Sequence, residues 1–141
     1  MYVGFTHQRL VVWQRADDLF IAIHRLTAGF PADERFALVS QMRRAAYSVP
    51  ANIVEGMARR SRGDRLRFLN VAEASLAELA YCLHVSRRLG YLSAQEHDAL
   101  VSAALQVWGS AGRFRALPAF RAFPALPAFP AFRACPARPS P

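Results

Sequence analysis

Residues 40–56 read Ser-Gln-Met-Arg-Arg-Ala-Ala-Tyr-Ser-Val-Pro-Ala-Asn-Ile-Val-Glu-Gly. Together with Leu38 just before them, Met42, Ala45, Val49 and Ile53 recur at steps of three and four, the apolar stripe of a helix. A helix interior normally rejects proline, which lacks an N–H and clashes with the preceding turn. Pro50 is therefore expected to kink this helix, because the carbonyl of Ala46 loses its donor. On a wheel of about 100° per residue, Gln41, Arg44, Ser48, Asn52 and Glu55 fall in a narrow arc beside the apolar stripe, not opposite it. Polar groups bordering a core must be paired. Two readings stand. One is an interhelical hydrogen-bond network that fixes register, with Glu73 as the partner of Arg44; the other is a binding site. The network is preferred, since buried polar groups in bundles often have that role.

A first helix is expected over roughly Val11–Thr27, with Val12, Ala16, Leu19, Phe20, Ile23 and Leu26–Thr27 on one face. Gly29-Phe30-Pro31 ends it, and Asp33 is placed to cap the second helix. Arg59-Arg60-Ser61-Arg62-Gly63 breaks the chain after Gly56. A third helix follows from about Asp64 to Leu89, with Leu69, Ala72, Leu76, Leu79, Leu83 and Ser86 forming a bundle seam. Gly90 sits where a left-handed C-cap belongs. Ser93-Ala94-Gln95-Glu96 is a capping box that starts a fourth helix. Leu100, Ala104, Val107, Trp108 and Ala111 make its stripe, and its end is expected near Gly109–Gly112. No segment alternates with period two. Short connections between long helices favour antiparallel neighbours, so the fold class is all-α: an up-down four-helix bundle with a kinked second helix.

The bundle is assigned to residues 1–112. Residues 113–141 form a low-complexity Ala/Phe/Pro/Arg tail, in which eight triplets of the form Ala–X–Pro/Arg run from Ala116 to Pro139. Proline at this density forbids helix and sheet. Its period of three matches polyproline II, which would suit a docking arm. The competing reading is a tandem gene repeat without a selected role, in keeping with the disorder usual for such composition.

At 141 residues the chain is long enough for one hydrophobic core. All 18 basic residues are arginine, a bias that reflects a GC-rich gene more than a selected preference for guanidinium. Residues 1–112 hold 13 arginines and 10 acids, whereas residues 113–141 hold 5 arginines and no acid. Cys82 and Cys135 make neither a metal spacing nor a disulfide framework. No signal peptide and no membrane-length apolar run is evident, so a cytoplasmic protein without membrane association is expected.

Arg43, Arg44, Arg59, Arg60, Arg62, Arg65 and Arg67 form the densest basic stretch, 7 arginines against 2 acids between residues 43 and 67. That is a candidate contact surface for RNA or DNA phosphates, without sequence readout; an ordinary solvated turn is the alternative. No catalytic residue is identified. The Glu-x-x-His pairs of a di-iron bundle are missing, as are phosphate-cradling glycine loops and nucleophile motifs. No cofactor or metal is expected, and the chain is read as not an enzyme.

Five blocks carry a resemblance to a known family: Leu10-Val11-Val12-Trp13-Gln14, Phe30-Pro31, the stretch 40–56, Arg67-Phe68-Leu69 with Ala74-Ser75-Leu76-Ala77-Glu78-Leu79, and Arg88-Leu89-Gly90-Tyr91-Leu92. They resemble the four-helix-bundle proteins encoded in intervening sequences of bacterial 23S ribosomal RNA genes, over about residues 9–92. The resemblance implies an up-down bundle that assembles as a homopentamer. It also implies kinship with the accessory variability protein of diversity-generating retroelements, which binds nucleic acid and a reverse transcriptase. The family brings no catalytic residues. The glycines at 109 and 112 and the proline triplets depart from the family's longer fourth helix. The expected function is a non-catalytic homo-oligomer that binds nucleic acid through its arginines. The alternative is a protein-interaction scaffold, or an accessory subunit for a partner enzyme such as a reverse transcriptase.

Overall fold

The computed structural model describes residues 6–116. Four helices make up the bundle: α1 (Val11–Leu26), α2 (Leu38–Met57), α3 (Arg62–Arg88) and α4 (Ala94–Arg115). Short 3-10 turns precede α1 and bridge α1 to α2. Helices α1 and α2, α2 and α3, α3 and α4, and α4 and α1 pack as neighbours, with α2 against α3 the most extensive pair. That cyclic order is the up-down bundle expected from the short connections.

Most of the core comes from the stripes read from the sequence, joined by Ala46, Cys82 and Leu92, while Phe20, Leu26, Leu38, Leu100 and Trp108 of those stripes are only partly buried. Ile23, Met42, Leu79 and Leu83 have no exposed surface, and Val49, Ala72 and Val107 are nearly as closed. Ser86 is buried among them. Its hydroxyl donates to the carbonyl oxygen of Cys82 (2.8 Å) and lies 3.3 Å from Met42 Sδ, which satisfies a polar group that would otherwise be costly there.

The helix ends have identifiable causes. Ser61 caps α3, accepting from the Asp64 N–H and donating to the Asp64 carboxylate. At the other end of α3, Gly90 has φ +79°. The Tyr91 N–H reaches the Ser86 carbonyl and the Gly90 N–H that of Arg87, a Schellman ending. The Ser93–Glu96 capping box is complete, with both reciprocal hydrogen bonds made. Hydrogen bonds from the Ser93 N–H, and secondly from the Ser93 side chain, hold the Glu96 carboxyl below its usual pKa.

Two expected boundaries move. Asp33 does not cap α2; it lies in the 3-10 turn Ala32–Glu34. Glu34 takes that part instead, accepting from the Leu38 N–H at 3.3 Å while its other oxygen accepts from the Tyr91 hydroxyl at 2.9 Å. Helix α4 does not stop at Gly109–Gly112 but continues to Arg115. Each glycine costs about 1 kcal/mol relative to alanine in a helix interior. Tertiary contacts outweigh that cost: Ser110 and Ala111 are buried, Phe114 packs on the core and Arg115 pairs with Glu73. Helix α2 runs unbroken through Pro50, whose ring is buried. The proline-rich triplets lie outside the described residues.

Gly56 sets how closely α2 approaches α3. A Cβ there would meet the Phe68 Cβ at 3.1 Å and the Arg65 carbonyl oxygen at 3.4 Å. Gly56→Val should therefore wedge the two helices apart and cost about 1–3 kcal/mol, as overpacking does. Thermal denaturation checks this; an unchanged midpoint would mean that the α2–α3 contact has slack.

Candidate nucleic-acid interface

The arginines singled out in the sequence are not equivalent in space. Arg43 lies on the α1 side of α2. Its Nε donates to Thr27 Oγ1 (2.8 Å) and its Nη2 to the His24 carbonyl (3.1 Å), so it ties the end of α1 to α2. Arg65 donates from Nε to the Arg59 carbonyl at 2.8 Å and braces the α2–α3 turn. Arg59 is exposed, pairs with Glu55 at 2.8 Å and covers the Phe68 ring at 4.9 Å. Arg62 is half-buried, with Nε and Nη2 shielded from solvent and without a hydrogen-bond partner among the described residues. Arg44, Arg60 and Arg67 are exposed and make no side-chain hydrogen bond among those residues. Arg60 and Arg67, with Arg59 beside them, are the guanidiniums of the turn most available to an anion. Arg44 stands apart, about four turns up α2.

The polar stripe divides as well. Ser48 and Asn52 are half-buried and joined: Asn52 Nδ2 donates to the Ser48 carbonyl (2.7 Å) and to Ser48 Oγ (2.9 Å). Ser75 Oγ on α3 lies 2.8 Å from Ser48 Oγ and 2.9 Å from the Val71 carbonyl oxygen, which extends the contact across the helices. Gln41 and Arg44 are exposed, and among the described residues Glu55 is used only by Arg59.

Arg44 does not pair with Glu73. The partner of Glu73 is Arg115 on α4, whose guanidinium also donates to Asn70 Oδ1 at 2.8 Å. The reason is geometric. Glu73 and Asn70 sit on the α4-facing side of α3, whereas Ser75 is on its α2-facing side. Burial pushes the Glu73 carboxyl above its ordinary pKa, and the Arg115 charge and hydrogen bond offset part of that rise.

This division predicts unequal effects. Asn52→Ala should cost about 0.5–1.5 kcal/mol, the net value of a part-buried hydrogen bond. Glu55→Ala should shift stability by less than about 0.5 kcal/mol, because its ion pair is solvated. Equal losses in urea denaturation would contradict the division.

The topology adds arginines that the linear cluster misses. Antiparallel packing brings the start of α1, the α2–α3 turn and the end of α4 to one end of the bundle. Arg15 shows this directly, donating to Ser110 Oγ at 2.6 Å. Within residues 6–18, 51–70 and 106–116 there are nine arginines and four acids. The other half, residues 19–50 and 71–105, holds six of each. The whole +5 of the described residues therefore sits at one end. Arg9 and Arg113 are exposed there together with Arg59, Arg60 and Arg67. The up-down topology was a signal that could have found Arg9 and Arg113. A shallow, mostly apolar depression lies close by, lined by Asn52, Ile53, Gly56, Met57, Arg65, Leu69 and Phe114. No helix among the described residues is long and apolar enough to cross a membrane, and no group of three or more His, Cys, Asp or Glu there is arranged to hold a metal ion.

Residues 8–109 match the model of the family described as 23S rRNA-intervening sequence protein. The fold is similar to the crystal structure of a protein of unknown function from the S23 ribosomal protein family of Bacteroides thetaiotaomicron VPI-5482. The TM-score is 0.69 and the identity 22%, with 74% of this chain and 94% of the other covered. Among curated proteins none matches the chain.

Proposed function

The chain belongs to the 23S rRNA-intervening sequence protein family, and on that premise we propose that it is a non-catalytic, homo-oligomeric bundle that binds the phosphate backbone of nucleic acid in the cytoplasm. The observation that carries the reading is the segregation of charge: one end has nine arginines against four acids and the other is balanced. Five of the nine are exposed. Phosphate contacts from arginine bind and orient without reading sequence, and an all-arginine set suits bidentate phosphate recognition.

Self-assembly has its own support. On α3, Val71, Ala74 and Tyr81 are exposed at helical spacing, with Val71 45% and Tyr81 62% exposed. A subunit interface would cover that row, and the family resemblance makes five the expected number of subunits. The same row would serve the second reading, a scaffold for a partner enzyme.

Filter binding at low salt tests the main reading. With about four to five phosphate contacts, the affinity should fall roughly 100- to 500-fold between about 50 and 200 mM salt. No retention of structured RNA or duplex DNA at low salt would end the proposal. Native mass measurement tests assembly, and a monomer at working concentration would remove that part.

A further inference from the structure

We propose that the arginine-bearing end of the bundle docks the phosphate backbone of a double helix, not a single strand, and that Arg9 and Arg113 belong to the contact; this deepens, and rests on, the nucleic-acid reading above. The exposed guanidiniums come from the 3-10 turn before α1 (Arg9), the α2–α3 turn (Arg59, Arg60), the first turns of α3 (Arg67) and the last turn of α4 (Arg113). They are spread over an end face two helices wide in each direction, roughly 20 Å across at interaxial distances of about 8–10 Å. About 20 Å of duplex axis carries roughly a dozen phosphate charges on two strands. A spread of charges in two directions matches such a lattice better than a single backbone track. Three exposed acids, Asp18, Glu55 and Asp64, share this half. Glu55 is taken up by Arg59 and Asp64 by the Ser61 cap.

Proteins that hold single strands without sequence preference stack bases on exposed rings beside a basic groove. Among the described residues, the exposed aromatics Phe36, Tyr47 and Tyr81 all lie in the charge-balanced half. At the basic end Phe68 lies beneath the Arg59 guanidinium, Trp13 meets the His7 ring edge-on at 5.0 Å while packing on the core, and Trp108 and Phe114 pack on the core. Charge without a stacking platform fits a duplex, whose bases are already stacked.

The test measures binding of the full chain to blunt duplex DNA, duplex RNA and each separated strand, all of one length, across a salt series. Using the full chain lets the phenylalanines beyond Ala116 contribute to the single-strand arm. The expected result is at least about tenfold tighter binding to a duplex, with duplex DNA and duplex RNA bound within a few-fold of each other, since backbone contacts carry no sequence information. Arg9→Glu/Arg113→Glu should weaken duplex binding by about tenfold or more and lower the salt slope by about two. Arg25→Glu/Arg88→Glu at the opposite end should stay within about threefold. Arg9→Gln/Arg113→Gln repeats the test without charge reversal, should the first variant unfold. Single strands bound as tightly as duplexes would overturn the duplex inference and leave the nucleic-acid reading intact. Unchanged duplex binding in both Arg9/Arg113 variants would remove those residues from the contact. Binding to none of the probes would overturn both.

Discussion

Leu79→Ala is expected to cost about 3–5 kcal/mol and to lower the melting temperature by about ten degrees or more. Leu79 lies near the middle of the bundle's longest helix and has no exposed surface. It belongs to a core to which all four helices contribute, alongside Ile23, Met42 and Val107. Truncation removes the transfer energy of the side chain and leaves a cavity bounded by rigid helices that can collapse only in part. Leu105 on α4 is the control. It is 62% exposed, and Leu105→Ala should change stability by less than about 0.5 kcal/mol. Calorimetry on the two variants checks the pair. A small loss at Leu79 would mean that the core is loosely packed there.

Arg60→Glu/Arg67→Glu is expected to weaken nucleic-acid binding about a hundredfold at low salt with the fold intact. Both side chains are exposed and make no hydrogen bond among the described residues. Neither has a hydrogen bond or ion pair to lose among the described residues, so the melting temperature should stay within error. A charge-assisted contact is worth about 1.5–3 kcal/mol, and each 1.4 kcal/mol is about tenfold in affinity. Losing two contacts therefore gives about a hundredfold or more. Arg43→Glu should act differently. It would break the ties to Thr27 and His24, and so lower stability before it changes binding. If the Arg60/Arg67 variant kept full affinity while the Arg43 variant lost it, the interface would lie on α2 and not at the turn. Filter binding beside thermal melts separates these outcomes.

The arginine cluster shows how far composition can carry a site. Seven arginines between residues 43 and 67 are visible at once in the chain. Which of them are free is not, because it depends on neighbours supplied by other helices. Thr27 holds Arg43, and a main-chain carbonyl across the turn holds Arg65. The mistaken pairing of Arg44 with Glu73 has the same origin. A helical wheel places each residue on its own helix, but not which neighbour stands on either side. Glu73 faces α4, and Arg115 reaches it only because α4 continues past two glycines that local propensity reads as a stop.

From the chain alone follow the four helices, most of their buried faces and two of their ends, Gly90 and the Ser93–Glu96 box, but not the Ser61 cap of α3 or the Glu34 contact that opens α2. What is legible depends on interactions within a few residues: the three-and-four spacing that puts Ile23, Met42, Val49, Leu79 and Val107 on the apolar stripes of their helices, the Ser93–Glu96 box, and a left-handed turn that glycine accepts at position 90. The sequence also carried the family resemblance, because order and spacing of blocks are properties of the chain alone. Tertiary structure decided where α4 ends, which guanidiniums are spent on holding helices together and which meet water. It also decided that Arg9 and Arg113 share an end with Arg59, Arg60 and Arg67. Those outcomes depend on contacts that a single helix does not supply, from Arg65 with Arg59, 6 positions apart, and Arg43 with Thr27, 16 apart, to Arg115 with Glu73, 42 apart, and Arg15 with Ser110, 95 apart; their energies outweigh local preferences of about 1 kcal/mol each.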